Sequence, residues 1–146
     1  EKWYINTNIT YAFGSGKVTG SYGTATAKEH ADKDAVDNEG NKLKDEDGNQ
    51  IINYGLKTVL IRTLKAQAAG ILQDTDWYVV RKADAGTAIP SAIATHRAAV
   101  RTKCASMETA ITNAADTPAL ETLYTHTKQE DGSVTRPLGE LPVLEG

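Results

Sequence analysis

From Trp3 to Phe13 the large apolar side chains fall on odd positions, at Trp3, Ile5, Ile9, Tyr11 and Phe13, with Asn6, Asn8, Thr10 and Ala12 between them. A period of two predicts a strand with one buried face, because successive side chains of an extended chain point to opposite sides. Gly14-Ser15-Gly16 supplies a turn in which positive φ is tolerated, and residues 17–27, with their Thr, Val and Tyr, complete a β-hairpin. Gly20 and Gly23 weaken the second arm and predict an edge or bulged strand. Between residues 28 and 50 large apolar side chains almost vanish and charge accumulates, the pattern of an exposed loop or a polar β-excursion. Within it, Asp37-Asn38-Glu39-Gly40-Asn41-Lys42-Leu43 and Asp45-Glu46-Asp47-Gly48-Asn49-Gln50-Ile51 read as two copies of one turn unit. Gly and Asn accept left-handed backbone there, and Asp bonds to its own backbone.

The period then becomes helical. Leu56, Leu60, Leu64, Ala68 and Ile71 recur at intervals of four and three and place one apolar stripe on a helix through Leu72, after Gly55 and with Gly70 weakening its last turn. Gln73-Asp74-Thr75-Asp76 breaks that helix, and Trp77-Tyr78-Val79-Val80 follows. Pro90 suits the first turn of a second helix, whose seam is Ile93, Val100, Cys104, Met107 and Ile111, with Ala94, Ala98, Ala99, Ala105 and Ala110 allowing close approach of other backbones. Thr117-Pro118 reads as a cap followed by proline at the first position of a short third helix through Leu123. The tail returns to extended chain, turning at Glu130-Asp131-Gly132-Ser133, and Pro137 and Pro142 confine its end to an edge or an arm. The pattern therefore predicts an α+β fold in one compact unit: an N-terminal antiparallel β-hairpin element with an acidic polar loop (1–54), a helical hairpin plus short third helix (55–125), and an extended C-terminal arm (126–146).

Composition narrows the function. With 146 residues, 40% hydrophobic but only 6% aromatic, the core must be built from aliphatic side chains and alanine. A net charge of −3 argues against a general nucleic-acid binder, which needs clustered Lys and Arg in excess; here a basic middle is flanked by acidic segments, and the basic residues fall where they would solvate helix faces. No apolar run is long enough for a membrane-spanning helix. The first residue is Glu1, without a methionine, so a longer product is expected upstream; no signal-peptide pattern stands at this end.

Candidate chemistry is sparse. The single Cys104 allows neither an internal disulfide nor a multi-cysteine zinc site, and on an apolar helix seam it reads as a small hydrophobe. His30, His96 and His126 have no metal-binding spacing among them. Asp74 and Asp76 could serve acid–base or magnesium chemistry, yet two acidic residues after a helix more commonly cap a turn. Gly14-Ser15-Gly16 lacks the spacing of a nucleophile elbow, and the glycines from Gly14 to Gly23 have no following helix to complete a phosphate cradle. An EF-hand fails on register: with Gly48 as its central glycine the first ligand would be Leu43 and the closing carboxylate Tyr54, and with Gly40 the first ligand would be Ala35. The reading is of a chain with no catalytic residue, no cofactor and no metal.

One stretch carries a resemblance. Ala66-Gln67-Ala68-Ala69-Gly70-Ile71-Leu72-Gln73-Asp74-Thr75-Asp76-Trp77, followed by Ile89-Pro90, Ile93 and then His96-Arg97-Ala98-Ala99-Val100-Arg101, resembles a helical hairpin of small bacteriophage tail proteins, the group of tail fibre assembly chaperones and accessory tail or baseplate proteins. In that group a helix ending Leu-x-x-Thr-Asp-Trp is followed by a second helix carrying Tyr-Arg-x-x-Leu-Arg; here His96 replaces the Tyr and Val100 the Leu. The signature residues are Thr75, Asp76, Trp77, Pro90, Arg97 and Arg101. The resemblance implies a non-enzymatic structural protein of the virion tail or baseplate, made in the host cytoplasm and present in multiple copies, whose partners are other phage tail proteins and neither nucleic acid nor membrane. A tail fibre assembly chaperone not retained in the virion is the alternative it leaves open, and a small enzyme or ligand-binding module the distant one. Physically, Trp77 is expected to close the hairpin by packing over both helices, Thr75 and Asp76 to cap the turn, and Arg97 and Arg101 to pair with Asp74 or Asp76.

Overall fold

The structure, a computed structural model, describes residues 2–144. Glu1 and Glu145-Gly146, placed by the sequence in the β-element and the arm, lie outside the described residues. The fold is α+β, with short antiparallel hairpins and, among the described residues, four helices.

Strand β1 (Tyr4–Ile5) pairs with β4 (Thr26–Ala27), and β2 (Thr10–Gly14) pairs with β3 (Lys17–Ser21). Tyr4 faces Ala27 and Gly14 faces Lys17, so one register runs through a single long hairpin whose ladder lapses between its two parts. At the lapse Asn8 takes φ 55°, Gly23 donates its N–H to the Thr7 carbonyl at 3.0 Å, and a Cβ on Gly23 would come within 3.3 Å of Asn8 Cβ. The tip has positive φ at both central residues, Ser15 (51°) and Gly16 (75°), the turn whose twist matches that of the strands. The hairpin read from the sequence is present, but its buried face is not: every residue of β2 and β3 is exposed. Period two fixes alternation between faces; only a second layer can bury one of them.

The acidic segment is ordered by its repeat. Ala35, Leu43 and Ile51, eight residues apart, close a ring of backbone hydrogen bonds: Ala35 N–H to Ile51 O at 2.8 Å, Leu43 N–H to Ala35 O at 2.8 Å, and Ile51 N–H to Leu43 O at 3.0 Å. Each interval is one turn. Asp37 Oδ1 accepts from the amides of Glu39 and Asn41 at 2.8 and 2.9 Å, and Asp45 Oδ1 from those of Asp47 and Asn49 at 3.0 and 2.8 Å, with Gly40 and Gly48 at positive φ. Strands β5 (Lys33–Asp34) and β6 (Ile52–Asn53) tie the ends of the segment together.

Helix α1 (Leu56–Gln73) starts at Gly55, which has no side chain to cap it. Asp32 does so from a distance, accepting from Gly55 N–H at 2.8 Å and Thr58 Oγ1 at 2.9 Å, while the Glu29 and His30 carbonyls take the N–H groups of Leu56 and Lys57. These are the donors that a helix start otherwise leaves unpaired. α1 runs antiparallel to α3 (Ser91–Asn113): Lys57 Nζ donates to the Thr112 carbonyl at 2.8 Å near one end, Lys65 pairs with Glu108 at 2.8 Å, and Arg97 reaches the Leu72 carbonyl at the other. Pro90 is the N-cap of α3 rather than its first residue. At α4 (Thr117–Tyr124) the cap is Asp116, whose carboxylate accepts from Ala119 N–H at 2.8 Å. Thr117, read as the cap, is inside the helix, buried, and donates its hydroxyl to the Lys28 carbonyl at 2.6 Å. That contact joins α4 to a residue 89 positions away, which local sequence does not reveal.

The link between α1 and α3 holds a helix that the sequence reading lacked, α2 (Asp76–Ala85). Its Trp-Tyr-Val-Val run favours extended chain. Asp76 in the first turn and Gly86, at φ 67° with its N–H on the Lys82 carbonyl, supply helix ends that outweigh this preference. The core gathers Leu60 and Leu64 of α1, Met107 and Ile111 of α3, Ala114, Leu120 of α4, and Leu138. Leu138 belongs to the C-terminal arm, where β7 (Thr127–Lys128) and β8 (Val134–Thr135) form the hairpin read at Glu130–Ser133. The arm then folds back, Leu138 donating to the Leu123 carbonyl at 3.0 Å, so this part of it is a core element rather than a free extension. The N-terminal end meets the same place: the Trp3 and Tyr124 rings lie 5.5 Å apart, Lys2 Nζ sits 4.1 Å from the Tyr124 ring centre, and Tyr4 donates to Glu121 at 2.9 Å.

Candidate functional site

Three of the six signature residues, Thr75, Asp76 and Arg97, converge where α1 ends and α2 begins. Arg97 is buried on α3, and its guanidinium donates from Nη1 to the Leu72 carbonyl and to Thr75 Oγ1, both at 2.7 Å, and from Nη2 to Asp76 Oδ1 at 2.8 Å. Thr75, also buried, donates its hydroxyl to the Leu72 carbonyl at 3.0 Å. One cation thus engages the carbonyl end of α1, where the helix dipole favours positive charge, and the first residue of α2. Asp76 is half exposed, so the pair is shielded on the arginine side and open to water on the other.

The remaining signature residues stand differently. Arg101, expected to pair with Asp74 or Asp76, instead donates to the Arg97 carbonyl of its own helix at 3.5 Å, and Asp74, outside the signature, lines a cleft. Trp77 is 56% exposed and does not close the hairpin. Starting α2 at Asp76 carries the next side chain away from α3, and the α1–α3 contact is closed instead by aliphatic residues and Arg97. On α2 the Trp77 ring lies against Arg81, whose guanidinium carbon is 4.6 Å from the ring centre, with Tyr78 5.5 Å away ring to ring. Val80 is 66% exposed, and α2 has no buried residue. The result is a Trp–Arg–Val surface on a helix fixed firmly at its base.

Two clefts flank the junction. One of about 510 Å³ lies between α1 and the arm and includes Gln67, Asp74, Arg136 and Glu140; the other, about 330 Å³, is lined by Ile71, Asp74, Thr75, His96, Val143 and Leu144. In the first, Arg136 is already engaged by Glu140 at 2.7 Å. His30 and His126 lie apart from the junction, His126 3.8 Å from Glu140, and Cys104 is partly buried against the core as its seam position implied. Among the described residues no three His, Cys, Asp or Glu side chains are grouped to hold a metal ion. The arrangement sets a buried electrostatic staple below an aromatic and cationic surface. Sequence reasoning missed Val80 and Arg81 as parts of this surface, although Asp76 at the start and Gly86 at the end of their segment were the available signal.

Compared with protein-family models, curated proteins and solved structures, the chain matches none.

Proposed function

We propose that this chain is a non-enzymatic bacteriophage tail or baseplate protein that acts through contacts with other tail proteins in the virion, in multiple copies. The reading rests on the resemblance of the Thr75-Asp76-Trp77 and Arg97 signature to small phage tail proteins. The observation that carries it is the use of the signature's polar members as an internal staple while Trp77 is left 56% exposed. Exposed Trp with neighbouring Arg is the composition of energetically dominant interface residues, and a stapled helix presents them with little ordering cost on binding. Mass spectrometry of purified virions tests the assignment. Presence of the chain at stoichiometric level is the expected result, and absence from the particle would replace it with an assembly chaperone. Trp77→Ala is expected to fold and yet fail to enter tails.

A further inference from the structure

The hairpin of β2 and β3 separates its side chains by chemistry. Tyr11 opposes Gly20 and Phe13 opposes Val18, and these residues share one face, which Ile9 and Tyr22 extend. The other face carries Thr10 opposite Ser21, hydroxyls 3.0 Å apart, and Ala12 opposite Thr19. The Tyr11 ring lies over Gly20, and Ile9 Cδ1 is also in contact there, so the gap left by the glycine is filled and the apolar surface is continuous. It carries no charged side chain, and nothing covers it among the described residues: Tyr11 is 70% exposed, Phe13 78%, Val18 65% and Tyr22 62%. A two-stranded ribbon is marginal in water unless its apolar face is packed.

We infer that this face is a self-association surface, and that two copies of the chain pack their ribbons face to face about a two-fold axis. The area supports a second copy as occupant. At about 150–250 Å² for each aromatic side chain, the exposed fractions leave about 400 Å² of aromatic surface and about 500 Å² with Ile9 and Val18. Two such faces bury about 1,000 Å² in all, the lower bound of a specific interface. An uncharged apolar face meets a copy of itself without stranding any charge, as an isologous contact requires, and two twisted ribbons pack about 10 Å apart with their side chains between them. The inference stands apart from the phage-tail reading and concerns the purified chain alone.

Sedimentation equilibrium across the micromolar range decides it. The wild-type chain is expected to pass from monomer to dimer, and Phe13→Asp and Val18→Lys, which alter exposed positions on opposing strands, are expected to remain monomeric with unchanged helical circular dichroism. Val80→Asp on α2 is expected to dimerise like wild type. A wild-type chain monomeric throughout overturns the inference, as does a dimer that survives both ribbon substitutions.

Discussion

Replacing Arg97 with alanine removes three hydrogen bonds at once, to the Leu72 carbonyl, Thr75 Oγ1 and Asp76 Oδ1. Bonds to a charged donor contribute about 1.5–3 kcal/mol each in favourable settings. The sum is not realised here for two reasons. Thr75 keeps its own bond to Leu72 O, so that carbonyl retains a partner, and the half-exposed Asp76 carboxylate returns to water. What is lost is the join between α1 and α2 and the packing of a buried side-chain stem, offset because folding no longer has to strip water from a guanidinium. The expected cost is about 3 kcal/mol, and with each kcal/mol moving the midpoint of a chain this size by about 2–4 °C, melting should fall by about 6–12 °C. Arg97→Lys, which keeps the charge but cannot reach three acceptors from one ammonium, should lose about half as much. Asp76→Ala should cost about 1 kcal/mol, because its partner keeps two of three bonds. Differential scanning calorimetry of the three variants gives the order Ala, Lys, Asp76→Ala from most to least destabilised. A fall below about 3 °C for Arg97→Ala would refute the staple, as would an Asp76→Ala variant as unstable as Arg97→Ala.

Trp77→Ala gives the opposite profile: less than half of the side chain is buried, and part of that lies against Arg81 on the same helix, so the cost should be about 1 kcal/mol in thermal melting while partner binding is lost. A loss of about 3–5 kcal/mol, proper to a buried tryptophan, would contradict the exposed placement. Gly55→Ala should destabilise by about 2 kcal/mol in urea unfolding, because the new Cβ would overlap the Ala31 carbonyl and lie 2.7 Å from the His30 carbonyl oxygen; an unchanged midpoint would mean that residues 29–32 do not seat on α1. Asp37 is held below the ordinary aspartate range by donors from the Asn41 side chain and from the Asn41, Glu39 and Gly40 backbone, and Asp45 by the Asn49 backbone first and then the Asn49 side chain. Since their folded-state pKa values are lowered, the stability they contribute is present above the unfolded value and lost as pH falls through the folded one. NMR titration should therefore show the Glu39 and Asn41 amides shifting only below the usual aspartate midpoint; a midpoint at the usual value would mean that the turn bonds do not form in solution.

The sequence by itself determined whatever depends on neighbours along the chain. The apolar stripes of α1 and α3, the Gly14-Ser15-Gly16 tip, the two Asp-x-x-Gly-Asn turns and the Glu130–Ser133 turn are all set by periodicity or by residues a few positions apart, and each stands in the structure. The Arg97–Asp76 contact was legible as one of the pairings open between Arg97 or Arg101 on a helix and Asp74 or Asp76 in the break before it. Tertiary structure decided which faces are covered. Period two in β2 marks an apolar face and contains no information about a second layer, so Phe13 is exposed where burial was expected. α2 forms despite β-favouring residues because its two ends are secured, and Trp77 consequently points outward. Asp32 at the start of α1, Thr117 on the Lys28 carbonyl and Leu138 in the core join segments tens of residues apart in two of these cases and pack the arm in the third. Such contacts follow from how the elements assemble in space, which no local pattern encodes.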